Sequence, residues 1–143
     1  MAIVSGSTTG IGQRTALHLA QTGATVIMAC RSQQRGEDGR YEILRELKRT
    51  DSQLAPDIKV MQVDLLEPQS IRKFADSFKQ QHDRLDILVN NAGTNIPGVT
   101  EQGLDFVFAA SYLGHFFMSE LLYDTIAQTE NARVVNLCSL LHR

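Results

Sequence analysis

The sequence has no tryptophan, only two cysteines and three prolines among 143 residues, and no long apolar run. Cys30 and Cys138 stand far apart, each inside an apolar stretch. That excludes a disulfide framework and points to two reduced thiols in the core. The longest clearly apolar run, Ala24 to Cys30, falls far short of the ~20 residues a membrane-crossing helix needs, so no membrane span is expected. No basic patch leads into an apolar stretch at the N-terminus, which gives no sign of a secretory signal and makes the cytoplasm the expected location. Neither sign of charge dominates: 14 Lys and Arg against 16 Asp and Glu leave a net charge of -2. The charges are intermixed and create no positive field for a phosphate backbone, so no nucleic-acid partner is expected. No repeat or low-complexity tract is present, and with 43% hydrophobic and 21% charged residues the composition is that of a globular chain. Length leaves room for one domain and excludes a second.

What is present is an alternation. Short apolar or β-branched runs at Ala2 to Ser5, Ala24 to Cys30, Ile58 to Val63, Leu85 to Val89 and Arg133 to Cys138 read as strands. Between them, Ala16, Leu19, Ala20 and Gly23 recur at helical spacing, as do Ile71, Phe74, Ala75 and Phe78. Pro68 suits the first turn of the second of these helices and Gly23 the end of the first. Ser32 to Thr50 reads as a helix with a charged, solvated face. Leu104 to Gln128 reads as a long helix, apolar on more than one side through Phe106, Phe108, Leu113, Phe116, Phe117, Leu121 and Leu122. Five strands separated by helices imply parallel, right-handed β-α-β units. The expected fold is α/β: a Rossmann-type doubly wound parallel sheet of five strands in three layers, α/β/α. The chain stops at Arg143, a few residues past the fifth strand. The reading is therefore one dinucleotide-binding domain over 1–143, truncated after that strand.

Directly after the first strand comes Ser5-Gly6-Ser7-Thr8-Thr9-Gly10-Ile11-Gly12, with a helix beginning inside it. Glycine serves where the backbone turns with positive φ or approaches a pyrophosphate without a Cβ in the way. The helix N-terminus adds free N–H groups and partial positive charge, and Ser7, Thr8 and Thr9 add hydroxyl donors. The same string can form an ordinary strand-to-helix loop. Its place in the first β-α-β unit points instead to a dinucleotide.

The spacing G-x-x-x-G-x-G, with Asn90-Asn91-Ala92-Gly93 after the fourth strand, resembles the short-chain dehydrogenase/reductase family. The resemblance covers the whole chain. It includes Asp64-Leu65 after the third strand, Leu113-Gly114-His115-Phe116 in the long helix and Arg133 to Ser139 at the fifth strand. Leu-Gly-His-Phe and Ala29-Cys30-Arg31 are most similar to the retinol-dehydrogenase-like branch. The resemblance implies an oxidoreductase that moves hydride between a nicotinamide cofactor and a small alcohol or carbonyl substrate.

Roles follow residue by residue. The turn from Gly6 to Gly12, including Ile11, is implied to hold the diphosphate. Arg31, at the end of the second strand where an acidic residue would bind a ribose 2′-OH, favours NADP over NAD, and Arg35 reinforces it while Glu37 and Asp38 oppose it. Arg31 is otherwise a plain surface arginine. Asp64 and Leu65 are implied at the adenine, although Asp64 also suits a turn. Asn90 is implied to tie strands together, and Asn91, Ala92 and Gly93 to line the inner ribose, against the reading of a simple turn. Ser139 is implied to donate to the substrate oxygen. Ser111 stands where the family has a helix asparagine, with a different hydrogen-bond inventory. The family's Tyr-x-x-x-Lys does not occur, and no metal is expected. Without that pair, the alternative is a non-catalytic dinucleotide-binding or interaction module. A fifth strand with no neighbour beyond it would expose Val134, Val135, Leu137 and Cys138 as an apolar edge, so self-association is expected.

Overall fold

The computed structural model describes residues 1–49 and 55–139. Five parallel strands form one sheet in the order β3-β2-β1-β4-β5. They are β1 (Ala2–Ser5), β2 (Val26–Cys30), β3 (Ile58–Gln62), β4 (Ile87–Asn90) and β5 (Arg133–Asn136). The alternation of side chains along a strand builds a separate core on each face. On one face Ile3, Ile27 and Leu88 pack with Phe74, Phe78, Met118 and Leu122. Their neighbours Val4, Met28 and Val89 pack on the other with Ala16, Leu17, Ile43 and Leu47. Each fully buried side chain of this size contributes ~1.5–3 kcal/mol. The expected three-layer α/β/α fold is thus present.

The helices covering the second face are α1 (Gly10–Gln21) and α2 (Gln33–Arg49). α1 ends as the sequence predicts: the Gly23 N–H donates to the Ala20 carbonyl and the Ala24 N–H to the Leu19 carbonyl, which together close the helix. α2 stops being described at Arg49; Thr50 lies outside the described residues. On the first face lies α3 (Pro68–Gln81), which begins at Pro68 after an extended Glu67.

The final helical segment departs from the expectation. Leu104 lies outside it, and its carbonyl instead accepts the Thr100 N–H across a turn. The helix starts at a short α4 (Phe106–Phe108), capped by Asp105, whose carboxylate accepts the Phe108 N–H at 2.7 Å. It then runs through a π-helical turn (Ala109–Leu113) into α5 (Gly114–Gln128). Met118 and Leu122 are buried and Phe117 and Leu121 pack beside them against α3. Phe108, Leu113 and Phe116 are exposed, so the apolar periphery of this segment is not all core.

β5 is also shorter than expected. It ends at Asn136, and Cys138 lies beyond the strand as an exposed thiol, not a core one; only Cys30 is buried. Since β5 pairs with β4 alone among the described residues, its Val134 and Val135 retain 44% and 47% of their accessible surface. Among the described residues, no helix is long and apolar enough to cross a membrane.

Candidate functional site

In a parallel sheet all strands deliver their carboxyl ends to one rim, and the crevice opens where successive connections leave to opposite sides. Here that point lies between β1 and β4. A cleft of about 740 Å³ occupies it, within the size range of small-molecule sites. The Gly6 to Gly12 turn forms its floor. The end of β2 with Arg31 and Arg35, the segment Val63 to Leu66 after β3, and Asn91 to Thr94 after β4 form its walls.

The floor is shaped by close packing. Gly6 has φ +62°, and a Cβ there would lie 2.7 Å from Ala92 Cα. At Gly12 it would collide with the Asn91 side-chain amide and the Gly6 carbonyl. These two glycines therefore make room for the protein's own second turn. Gly10, at φ +60°, faces open space. It begins α1, and the preceding Thr9 makes no side-chain hydrogen bond to the helix, which leaves the first-turn N–H groups without a hydroxyl cap. Unsatisfied N–H groups at a helix start suit an anion.

The Asn90-Asn91 pair acts on opposite sides. Asn90 is buried, and its Nδ2 donates to Asn136 Oδ1 at 2.8 Å across the β4–β5 register and to Ser119 Oγ at 3.2 Å. Asn91 turns back, donating from Nδ2 to the Ser5 carbonyl at 2.8 Å. The two central turns are thereby fixed to each other.

At the β2 end, Gln62 Nε2 donates to the Arg31 carbonyl at 2.9 Å. Among the described residues neither Arg31 nor Arg35 takes part in an ion pair. Glu37 is held by Arg40 at 2.8 Å and accepts from Gln33, and Asp38 accepts from Gln34. The acidic residues expected to oppose Arg35 are thus engaged along α2. Cys30 lines the same wall, but burial, with Glu37 nearby, pushes its thiol up to about 11, so it stays protonated at neutral pH. Asp64 accepts the Leu66 N–H at 3.0 Å, forming a turn while still lining the cleft. Gly114 lets α5 press against the Leu65 carbonyl, where a Cβ would collide.

Residues 1–142 match the family profile described as short chain dehydrogenase. The chain belongs to that family. Retinol dehydrogenase 13 of Mus musculus is 40% identical over 142 residues, a match covering 98% of this chain and 41% of the relative. Among solved structures, menthone neomenthol reductase from Mentha piperita superposes with a TM-score of 0.81 at 26% identity, covering 98% of this chain and 60% of that one. The Pseudomonas aeruginosa RhlG/NADP active-site complex gives 0.76 at 27% identity, covering 93% and 52%. The chain thus spans about two-fifths of the length of the retinol dehydrogenase it matches.

Within this short-chain dehydrogenase cleft lie Gly6, Thr8, Thr9, Ile11, Gly12, Arg31, Asp64, Leu65, Asn91, Ala92 and Gly93, as the sequence reading groups them. Four others do not line it. Ser7 is fully buried, and its Oγ has no partner among the described residues. Gly10 sits at the open helix start. Ser111 lies in the π-helical turn behind the wall, its Oγ accepting the Thr94 N–H at 3.4 Å. Ser139 is exposed, two residues beyond Leu137, which does reach the cleft. Sequence reasoning missed Ile96, Phe106 and Ala110 on the far rim. Phe106 opens the short α4, while Ile96 and Ala110 come from a loop and a π-helical turn whose path no periodicity reveals.

Proposed function

We propose that the cleft binds NADP in preference to NAD, and that the chain forms the cofactor-holding part of an enzyme oxidising an alcohol or reducing a carbonyl. The observation that carries the cofactor assignment is the pair Arg31 and Arg35 on the cleft wall, free of ion pairs among the described residues, with Glu37 and Asp38 occupied elsewhere. The wider donor set fits the group as well: an α1 start without a side-chain cap and the Thr8 and Thr9 hydroxyls. When bound, the nicotinamide supplies or accepts the hydride.

In this reading Thr8, Thr9 and the first-turn amides hold the diphosphate, and Asn91 to Gly93 orient the inner ribose. Ser139 donates to the substrate oxygen as negative charge develops there. Proton exchange at that oxygen needs an acid such as the tyrosine of Tyr-x-x-x-Lys, which these 143 residues lack. A group of that kind contributes ~10²–10⁴-fold. Turnover is therefore assigned to a longer protein carrying the pair. If no such protein exists, the same cleft serves as a non-catalytic nucleotide-binding module, a reading favoured by Ser111 in place of the family asparagine.

Fluorescence titration with NADPH and NADH, on the natural chain and on Arg31→Asp, tests the assignment. Charge-assisted hydrogen bonds from Arg31 to a 2′-phosphate are worth ~1.5–3 kcal/mol each, which corresponds to roughly ten- to hundredfold tighter NADPH binding. Arg31→Asp should erase that ratio. An equal preference in both proteins would sink the 2′-phosphate assignment.

A further inference from the structure

A hydrogen-bond relay behind the cleft joins α5 to the turn after β4. Ser5, at the end of β1, is wholly buried. Its Oγ accepts the N–H of Asn91 and the N–H of Ala92, both at 2.9 Å, and lies 2.7 Å from His115 Nε2. A hydroxyl has one proton and two lone pairs. With both lone pairs directed at amides, the Ser5 proton has two acceptors in reach: His115 Nε2, and the Val89 carbonyl at 3.3 Å. The other ring nitrogen decides between them. His115 Nδ1 lies 3.0 Å from the Ser111 carbonyl, which can only accept, so Nδ1 carries the ring proton and Nε2 is left as an acceptor.

We infer that His115 is a positioning residue for the cleft: by taking the Ser5 proton on Nε2, it aims both Ser5 lone pairs at the Asn91 and Ala92 amides and fixes the segment lining the site. Its effect on nucleotide affinity rests on the reading of the cleft given above; its effect on the segment does not. The imidazole is 5% exposed, and burial holds its pKa below the ordinary 6.5, opposed by the Ser111 carbonyl. The groups around it, Ser5 and Val89 of the sheet, Asn91 and Ala92 of the turn and Ser111 one turn back, carry no ionisable side chain. From the other packed elements, Asp64 precedes Leu65, which touches Gly114, and Arg72 of α3 lies over Phe117 at 4.7 Å. Neither contributes to the shift. Protonated His115 would present a third donor to an oxygen with two lone pairs, and one amide of the segment would lose its partner. Acid should therefore loosen the cleft wall.

The test uses the whole chain as wild type, His115→Gln, which keeps an acceptor in reach of Ser5, His115→Leu, which does not, and Ser5→Ala. Amide hydrogen exchange at Asn91 and Ala92 is read without nucleotide, and NADPH affinity by fluorescence from about pH 5 to 8. In His115→Leu and Ser5→Ala, those two amides should exchange about tenfold faster and affinity should fall about tenfold, with His115→Gln close to wild type. The double variant Ser5→Ala with His115→Leu should be no worse than Ser5→Ala alone, because both act through one hydroxyl. Wild type should lose affinity and protection on acidification more steeply than His115→Gln, a difference that cancels titration of the nucleotide's own phosphate. Unchanged exchange in His115→Leu overturns the positioning role. If that variant does not fold, identical acid profiles of exchange in wild type and His115→Gln overturn it. Faster exchange in His115→Leu, in a chain whose wild type binds no NADPH, upholds the positioning role and overturns the nucleotide reading.

Discussion

Gly6, Gly10 and Gly12 look alike in the sequence, as gaps left for a ligand, but they do different work. A Cβ at Gly6 or Gly12 meets Ala92 or Asn91, parts of the chain more than seventy residues away, whereas Gly10 has open space and a positive φ. The sequence motif marks where glycine is needed and cannot say which neighbour demands it. Gly12→Ala should therefore destabilise the nucleotide-free protein by about 1–3 kcal/mol through overpacking. Gly10→Val should also cost stability, about 1–2 kcal/mol, because a β-branched residue is strained at φ +60° whether or not a ligand is present. Urea denaturation without nucleotide measures both, and a Gly12→Ala variant as stable as wild type would contradict the packing account. Ser5 and His115 escaped sequence reasoning because their partners, each other and three backbone groups, are brought together only by folding.

Helical spacing located α1 and α3, and charge and apolar content located α2 and the last helical segment, but the ends and the division of that segment were blurred. Leu104 to Gln128 carries apolar residues on several sides, and a continuous helix is the simplest reading of such a run. The π-helical turn at Ala109–Leu113 shifts the register by about a residue, and an i, i+3, i+4 pattern does not detect so small an insertion. The shift decides which residues face the core. Leu122 and Met118 face it and are wholly buried, whereas Phe116 is 54% exposed. Leu122→Ala should cost about 2–5 kcal/mol, and Phe116→Ala no more than ~0.5 kcal/mol. Equal losses in chemical denaturation would mean that α5 is rotated from the orientation described. The strands were more legible, since β-branched runs bounded by turns leave less room for error, and their misjudged limits fall at positions such as Ala24 and Cys138, where pairing ceases.

Across the whole molecule, strand order and layering follow from the alternation of elements, because parallel right-handed crossovers allow few arrangements. Surface cover does not follow so directly. β5 leaves Val134 and Val135 exposed, and the outer face of the last helical segment exposes Phe108, Tyr112 and Tyr123, the first two stacked at 5.2 Å. Exposed apolar side chains and a strand edge unpaired among the described residues recruit other chains. The chain should therefore self-associate at micromolar concentration, and Val135→Lys should shift light-scattering mass toward the monomer; a wild type that stays monomeric under the same conditions would contradict this. The cleft at the β1–β4 crossover is proposed to hold a nicotinamide dinucleotide. Hydrogen–deuterium exchange with and without NADP tests it most directly. Bound NADP should slow exchange in the Gly6–Gly12 turn, around Arg31 to Arg35, at Asp64 to Leu66 and at Asn91 to Thr94. Slowing confined to other segments, or none at millimolar NADP, would contradict it.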